Sequence, residues 1–217
     1  MTSLAGRHVL VTGGAGFIGS HLVEHLASLQ PARLDVIDDL STGSWANIDA
    51  VADRIEIHTG DVEQPEVANL AGDADLVFHL AVRNVRNSLT DPSDTFRVNA
   101  DGTLAIVDAM HRGRQGQFVY VSSSEVYGIP ESEEFSETTL PAPTTVYGAG
   151  KLAGELVTLA YHRTWGMNTR VVRPFNNFGP RSHFEGDSGE VIPKFILRAL
   201  AGRPLLVLGD GTQTRDF

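Results

Sequence analysis

Tyr147 and Lys151 stand four residues apart in TTVYGAGKLAGEL. A helix beginning near Thr145 would put the phenol and the ammonium on one face, a turn apart. A neighbouring cation favours the phenolate. Bringing a tyrosine from a pKa of ~10 to ~7 takes about 4 kcal/mol, and a unit charge ~4 Å away at an effective dielectric of 20 supplies about that much. The pair would then be a general base for an alcohol proton. Only two of the 17 Lys and Arg residues are lysines, Lys151 and Lys194. A compact ammonium suits a tight helix face and two ribose hydroxyls better than a planar guanidinium fork does. Three hydroxyls, Ser122, Ser123 and Ser124, followed by Glu125, leave the end of QFVYVSSSEVYG, where one of them could hold a substrate oxygen beside the tyrosine. Alone, the tyrosine–lysine spacing fits an exposed helix pair, a serine fits a turn, and Glu125 fits a solvated loop charge. A second motif changes that balance.

RHVLVTG runs directly into TGGAGFIGSHLVEHL, with Gly13, Gly16 and Gly19 in GxxGxxG spacing at a strand–turn–helix junction. The first glycine permits the turn, the second lets backbone approach a pyrophosphate, and the third lets helix pack on strand, while the helix N-terminus supplies N–H groups. Asp38 ends the next β-branched run about 20 residues on, where a carboxylate accepts ribose hydroxyls. Asp39 follows, and DDLSTGSW holds no Arg or Lys. A 2′-phosphate would meet two carboxylates without a cation, so the expected cofactor is NAD rather than NADP. His21, Glu24 and His25 spell H-x-x-E-H, a zinc-site spacing. With no third ligand indicated they read as a polar helix face, and no metal is expected.

These residues must be positioned by a larger frame. RHVLVTG, RLDVID, RIEIHTG, DLVFHLA, QFVYVSS, TRVVRP and PLLVLGD read as strands, with helices beginning near Gly16, Glu63, Pro92, Thr145 and Gly189. That alternation predicts an α/β fold, a Rossmann-type doubly wound parallel sheet of about seven strands. Surface loops follow at Gly128–Pro143 and after Gly179, both leaving strand ends where open α/β sheets bind ligands. A net charge of −10 offers no electrostatic attraction for nucleic acid or an anionic membrane. Cysteine is absent, which excludes disulfides, thiolate nucleophiles and Cys-type zinc sites. No apolar run is long enough to span a bilayer, and Arg7 and His8 interrupt any signal-peptide core. The expected setting is the cytoplasm.

Taken together, TGGAGFIGSH, VIDDLSTG, GDV, VFHLA, RVNADGT, VSSSEVYG, YGAGK, RPFNNFGPR and GDGTQTRDF resemble the extended short-chain dehydrogenase/reductase family, specifically its NAD-dependent nucleotide-sugar epimerases and dehydratases. The resemblance implies bound NAD, a nucleoside-diphosphate sugar, UDP-linked on this reading, and a homodimer through helices near residues 93–112 and 147–165. It implies Tyr147 as catalytic base, Lys151 as its partner, and Ser123 on the reacting sugar oxygen, with Ser124 and Glu125 beside it. Cofactor contacts would run through Gly13, Gly16, Phe17, Ile18 and Gly19, the stretch Asp38, Asp39, Leu40, Ser41, Thr42 and Gly43, then Asp61, Val62, Leu80, Ala81, Val82 and Asn99. Asn176, Val191 and Arg215 would hold the nucleotide diphosphate, and Arg86 could meet a sugar carboxylate or be plain surface charge. Residues 1–175 would form the NAD-binding domain, and 176–217 the start of an interleaved substrate-binding lobe that stops inside the motif ending at Asp216-Phe217.

The triplet after strand five bears on the reaction. Dehydratases resembling this chain carry aspartate then glutamate after the hydroxyl residue, whereas here Ser124 stands in the aspartate position. Ser124 with Glu125 is more similar to hexuronate decarboxylases or some 4-epimerases. The leading expectation is a UDP-hexose or UDP-hexuronate 4-epimerase working through a 4-keto sugar, with a sugar-nucleotide dehydratase kept as an alternative. A UDP-glucuronate decarboxylase shares the same oxidation, and a truncated NAD-binding scaffold without catalysis is the reading of another class.

Overall fold

In the computed structural model, residues 4–129, 134–186, 189–207 and 209–212 are described. The chain divides into two compact units, Met1–Arg173 and Pro174–Phe217. In the first, six β-branched runs form β1 (His8–Thr12), β2 (Arg33–Asp38), β3 (Glu56–Thr59), β4 (Leu76–His79), β5 (Gln117–Val121) and β6 (Thr169–Val172). Every neighbouring pair is parallel, in the order β3-β2-β1-β4-β5-β6. Parallel pairing requires crossovers. Helices α1 (Phe17–Ser28), α2 (Pro65–Asp73), α3 (Asn87–Thr90), α4 (Pro92–Phe96), α5 (Gly102–Arg112) and α6 (Val146–Trp165), with a 3-10 segment Trp45–Arg54, provide them. A π-helical turn, Arg97–Asp101, joins α4 to α5. Strand order reverses between β1 and β4, which opens a crevice at their C-terminal ends.

The central strands are buried on both faces, which is why β1 reads as a nearly continuous apolar run. On one face Leu10, Ile37, Val77, Phe118 and Tyr120 pack with side chains of α2, α5 and α6. On the other, Val9, Val11, Leu34 and Val36 pack with Val23, Leu26 and Ala27 of α1 and with Ile48 and Val51. Each such aliphatic side chain removed from water contributes about 1.5–3 kcal/mol. Helix α6 lies close on β5 because Gly154 has no side chain: a Cβ there would stand 2.4 Å from the Tyr120 hydroxyl oxygen. That hydroxyl donates to the Lys151 carbonyl at 3.2 Å, fixing the helix along the strand.

The sequence leads one to expect a seventh strand in PLLVLGD, and the described part of it is not one. Pro204–Val207 pairs with no strand, and Leu205, Leu206 and Val207 are exposed. A β-rich run makes a strand only where a ladder partner exists, and this run falls in the second unit, whose described residues contribute no strand to the sheet. The helix expected near Gly189 is α7 (Val191–Leu200), with Val191, Ile196, Leu197 and Leu200 exposed. No helix among the described residues is long and apolar enough to cross a membrane.

Beneath the site-bearing end of the sheet, a fully buried carboxylate ties three strands together. Asp35 accepts from Arg33 Nε at 2.7 Å and lies 2.5 Å from His8 Nε2 and 2.6 Å from His58 Nε2. Removing one member of a buried ionic network leaves the others uncompensated. Asp35→Ala is expected to cost about 3 kcal/mol of stability, read from the urea midpoint at neutral pH. Arg33→Ala removes only the half-exposed partner and should cost under about 1 kcal/mol; equal effects would contradict this account.

Candidate active site

The β1 strand stops where Gly13 adopts φ 71°, and a Cβ there would lie 2.6 Å from Ala81 N at the end of β4. A Cβ on Gly19 would lie 2.1 Å from the Gly13 carbonyl oxygen. Turn, neighbouring strand end and helix start are thus in direct contact. Gly16 differs, since a Cβ on it would meet only the Gly13 oxygen, at 3.4 Å, and otherwise open space. It caps α1 without any side-chain hydrogen bond to the first-turn amides, and Phe17 and Ile18 form that turn. An anion can approach backbone here and meet unfilled N–H donors, so the turn fits a pyrophosphate.

Asp38 is buried, with Oδ2 accepting Ala15 N–H at 2.9 Å and Oδ1 accepting Leu40 N–H at 2.9 Å. Burial pushes its carboxyl above the usual range against those backbone bonds. Each oxygen still has a lone pair to offer a ribose hydroxyl. Thr42 is exposed, and Gly43 packs so near that a Cβ would lie 2.8 Å from Asp38 Oδ1. Leu80 and Ala81 leave β4 bonded through their N–H groups to Thr12 O at 3.0 Å and Thr12 Oγ1 at 3.2 Å, followed by half-buried Val82. Asp61 accepts Glu63 N–H at 3.2 Å, and Val62 is buried.

Two findings correct the sequence reading. The first concerns the segment after β2, where no cation was expected: Arg83, from the loop after β4, places Nη1 on Asp39 Oδ2, Nη2 3.3 Å from Asp61 and Nε 3.0 Å from Asp94. A motif read along one segment misses a partner brought in by another strand. Burial pushes the Asp39 carboxyl up, and bonds from Ser41 and Arg83 outweigh it, leaving it below the usual range. Asn99, in the π-helical turn, donates to Arg83 O and accepts Arg83 N–H, both at 2.9 Å, so its amide holds the loop that carries the guanidinium. Arg86 is exposed where α3 begins.

The second concerns the phenol. Thr145 caps α6, its Oγ1 accepting Gly148 N–H at 3.0 Å, and this fixes Tyr147 in the first turn. The half-buried Tyr147 hydrogen-bonds Ser123, whose Oγ also accepts Glu125 N–H at 3.2 Å. Its pKa is raised rather than lowered: burial dominates, the Ser123 bond opposes it, and the Glu125 charge adds to it. Lys151 does not overcome this, because it is itself 2% exposed, 4.5 Å over the Tyr120 ring, and burial brings its pKa down to about 7 against the pull of Glu155. Burial disfavours both charged forms at once, a cost the surface-pair arithmetic omits.

The serine triplet is resolved into three environments. Ser122 Oγ is buried with no partner among the described residues, Ser123 meets the phenol, and Ser124 opens a short 3-10 turn with exposed Glu125. Sequence reasoning missed the layer behind them. Glu155, 1% exposed, receives Arg173 Nε at 2.8 Å and Nη2 at 2.6 Å. His79 lies between Thr12 Oγ1 at 2.7 Å and Thr103 Oγ1 at 3.1 Å, held neutral with a pKa of about 3 by burial and by the Lys151 charge. Glu155 had a readable signal, four residues past Lys151 on the same helix face.

Asn176 is exposed, and Val191 begins α7, both in the second unit; Arg215 lies outside the described residues. His21 and His25 are on the exposed side of α1, and no group of three metal-binding side chains occurs among the described residues.

The model of the NAD dependent epimerase/dehydratase family matches residues 9–217. The chain is 37% identical to a dTDP-glucose 4,6-dehydratase of Streptomyces antibioticus, over 97% of its own length and 64% of that protein's. It superposes with a TM-score of 0.91 on a UDP-N-acetylglucosamine 4-epimerase from Methanobrevibacter ruminantium M1, at 34% identity over 98% of this chain and 68% of the other. A UDP-glucuronic acid 4-epimerase from Bacillus cereus, in complex with UDP-glucuronic acid and NAD, gives 0.85 at 33% identity over 97% and 68%.

The Lys151 pKa has a definite sign in stability. Unfolded, the amine titrates near 10.5; folded, near 7. Between these values the unfolded chain binds more protons, so stability rises with pH across that window, and the cost of burying the charge is fully present below it. Lys151→Met is expected to stabilise the protein at pH 6 by a few kcal/mol, with the gain shrinking toward pH 10. Thermal unfolding without added nucleotide reads this, and a gain independent of pH would refute it.

Proposed function

The chain belongs to the NAD-dependent epimerase/dehydratase family, and from that premise we propose that it is a nucleotide-sugar 4-epimerase acting on a UDP-linked hexose or hexuronate. The observation that carries the reading is the Ser123–Tyr147 hydrogen bond at the capped start of α6, with the buried Lys151 one turn on. NAD, when bound, supplies the reversible oxidation of the sugar alcohol at C4. Ser123, already bonded to the phenol, orients the C4 oxygen, and Tyr147 takes its proton and later returns it. Lys151 titrates at about 7, so it carries charge in part of the population at neutral pH, and each proton it holds favours loss of one from Tyr147. Positioning supplies much of the acceleration, because proton and reacting carbon must stay within contact distance of fixed groups.

Ser124 separates this reading from dehydration. Loss of water across C5 and C6 needs an acid for the departing hydroxyl, and a serine hydroxyl beside Ser123 is too weak an acid for that role. On this reading residues 176–217 belong to a substrate lobe, and Asn176, Val191 and Arg215 are proposed contacts of the nucleotide diphosphate, with Arg86 proposed for a sugar carboxylate. A second copy of the chain would pack on α4, α5 and α6, where exposed Phe96, Leu104, Leu156 and Trp165 supply apolar surface.

Incubation with NAD and UDP-glucose or UDP-glucuronate, with product identification by NMR, tests the assignment. A sugar inverted at C4 is expected. A pentose would make the protein a decarboxylase, and a 4-keto-6-deoxy sugar a dehydratase. Tyr147→Phe should lower kcat on the order of 10³-fold while bound NAD is retained; a variant keeping most of its turnover would remove Tyr147 from the mechanism.

A further inference from the structure

The carboxylate of Asp39 sits inside a ring of donors. Oδ1 accepts the Ser41 N–H at 3.0 Å and the Ser41 hydroxyl at 2.7 Å, and Oδ2 accepts from Arg83 Nη1, which also lies 3.1 Å from Ser41 Oγ. A backbone N–H, a hydroxyl and a guanidinium converging on one anion form the donor set that holds a phosphate oxygen. The segment is held in an unusual shape to make it. Leu40 adopts φ 60°, a left-handed conformation costly for a leucine, secured by its N–H bond to Asp38 Oδ1 at 2.9 Å. Arg83 is held from the other side, by Asp94 on Nε, by Asp61 on Nη2 and by Asn99 on its main chain. Its Nη1 edge therefore stays aimed at Ser41 whatever occupies position 39.

We propose that Asp39 is an internal anion that fills a phosphate-type cradle built by Ser41 and Arg83, and that by filling it Asp39 makes the chain select a cofactor with a free 2′-hydroxyl over one with a 2′-phosphate. This rests on the reading that places the cofactor's adenosine ribose at Asp38, the adjoining residue. Selection then works differently from simple repulsion by two carboxylates. The cation that a 2′-phosphate would need is present and already engaged, and the incoming phosphate would have to displace a carboxylate tethered at very high local concentration. Without that carboxylate, the same donors would favour the phosphate.

Binding of NAD+ and of NADP+ to the protein freed of bound nucleotide, measured by isothermal titration calorimetry, tests this without any turnover. The unaltered protein is expected to prefer NAD+. Asp39→Ser, and Asp39→Asn as a variant of unchanged shape, should tighten NADP+ by about tenfold or more and narrow the preference accordingly. Combining Asp39→Ser with Arg83→Gln should abolish the gain, and raising the salt concentration should weaken it. Unchanged NADP+ affinity in both position-39 variants, with NAD+ still bound, overturns the proposal alone. A gain that survives Arg83→Gln overturns it as well. Failure of the unaltered protein to bind either nucleotide would take down the cofactor placement together with the proposal.

Discussion

Lys151 carries an ammonium to a position 2% exposed, 4.5 Å above the face of Tyr120, and the free energy of keeping a charge there has to come from its surroundings. Three features offset part of that cost: the π-face of Tyr120, the carboxylate of Glu155 one turn on, and the helix geometry that brings both near. Glu155 is itself buried and is held by both arms of Arg173 from the end of β6, so one guanidinium at the sheet edge supports the amine in the middle. Gly154 belongs to the same arrangement, because any side chain there would strike the Tyr120 hydroxyl and lift α6 off β5. The phenol of Tyr147 inherits its place from this seating and from the Thr145 cap.

The loops after β2, β3 and β4 are organised around a second guanidinium in a comparable way. Arg83 collects carboxylates from the loop after β2, the loop after β3 and helix α4, three segments that would otherwise repel one another at the crevice mouth. Asn99 fixes the loop that delivers it, and Asn99 sits in a π-helical turn, a local widening that faces one side chain inward where an uninterrupted helix would not. His79 stays neutral between two threonine hydroxyls, which keeps a further positive charge away from Lys151.

The parts of the fold legible in the sequence were those fixed by local period and local steric need. Six of the expected strands formed from β-branched runs, and the glycine spacing after β1 announced the turn at Gly13. PLLVLGD had the same composition, and its described part, Pro204–Val207, joins no ladder among the described residues. The phenol's proton affinity failed for a similar reason, since spacing reports who is near and says nothing of how much water is excluded. Arg83 and Arg173 were illegible because each acts on residues far off in sequence, and an arginine in a loop looks the same whether it meets solvent or three carboxylates. Glu155 could have been found from its helix spacing to Lys151.

Similarity to dehydratases and epimerases alike follows from what this arrangement can do by itself. On the proposed reading, a phenol paired with a serine, an ammonium one turn away and a glycine turn fitted to a pyrophosphate would together remove a proton from a sugar hydroxyl beside a bound nucleotide, a step both reactions need. What separates them lies at neighbouring carbons and requires one more acid. The position able to supply it is the residue after Ser123, set by the short turn Ser124–Val126 to lie beside the phenol's partner. A carboxyl there would have a reason to be protonated, with Glu125 following and burial close by, and could give its proton to a leaving hydroxyl. Ser124 has no such proton to give, and that difference is what the proposed 4-epimerase reading rests on.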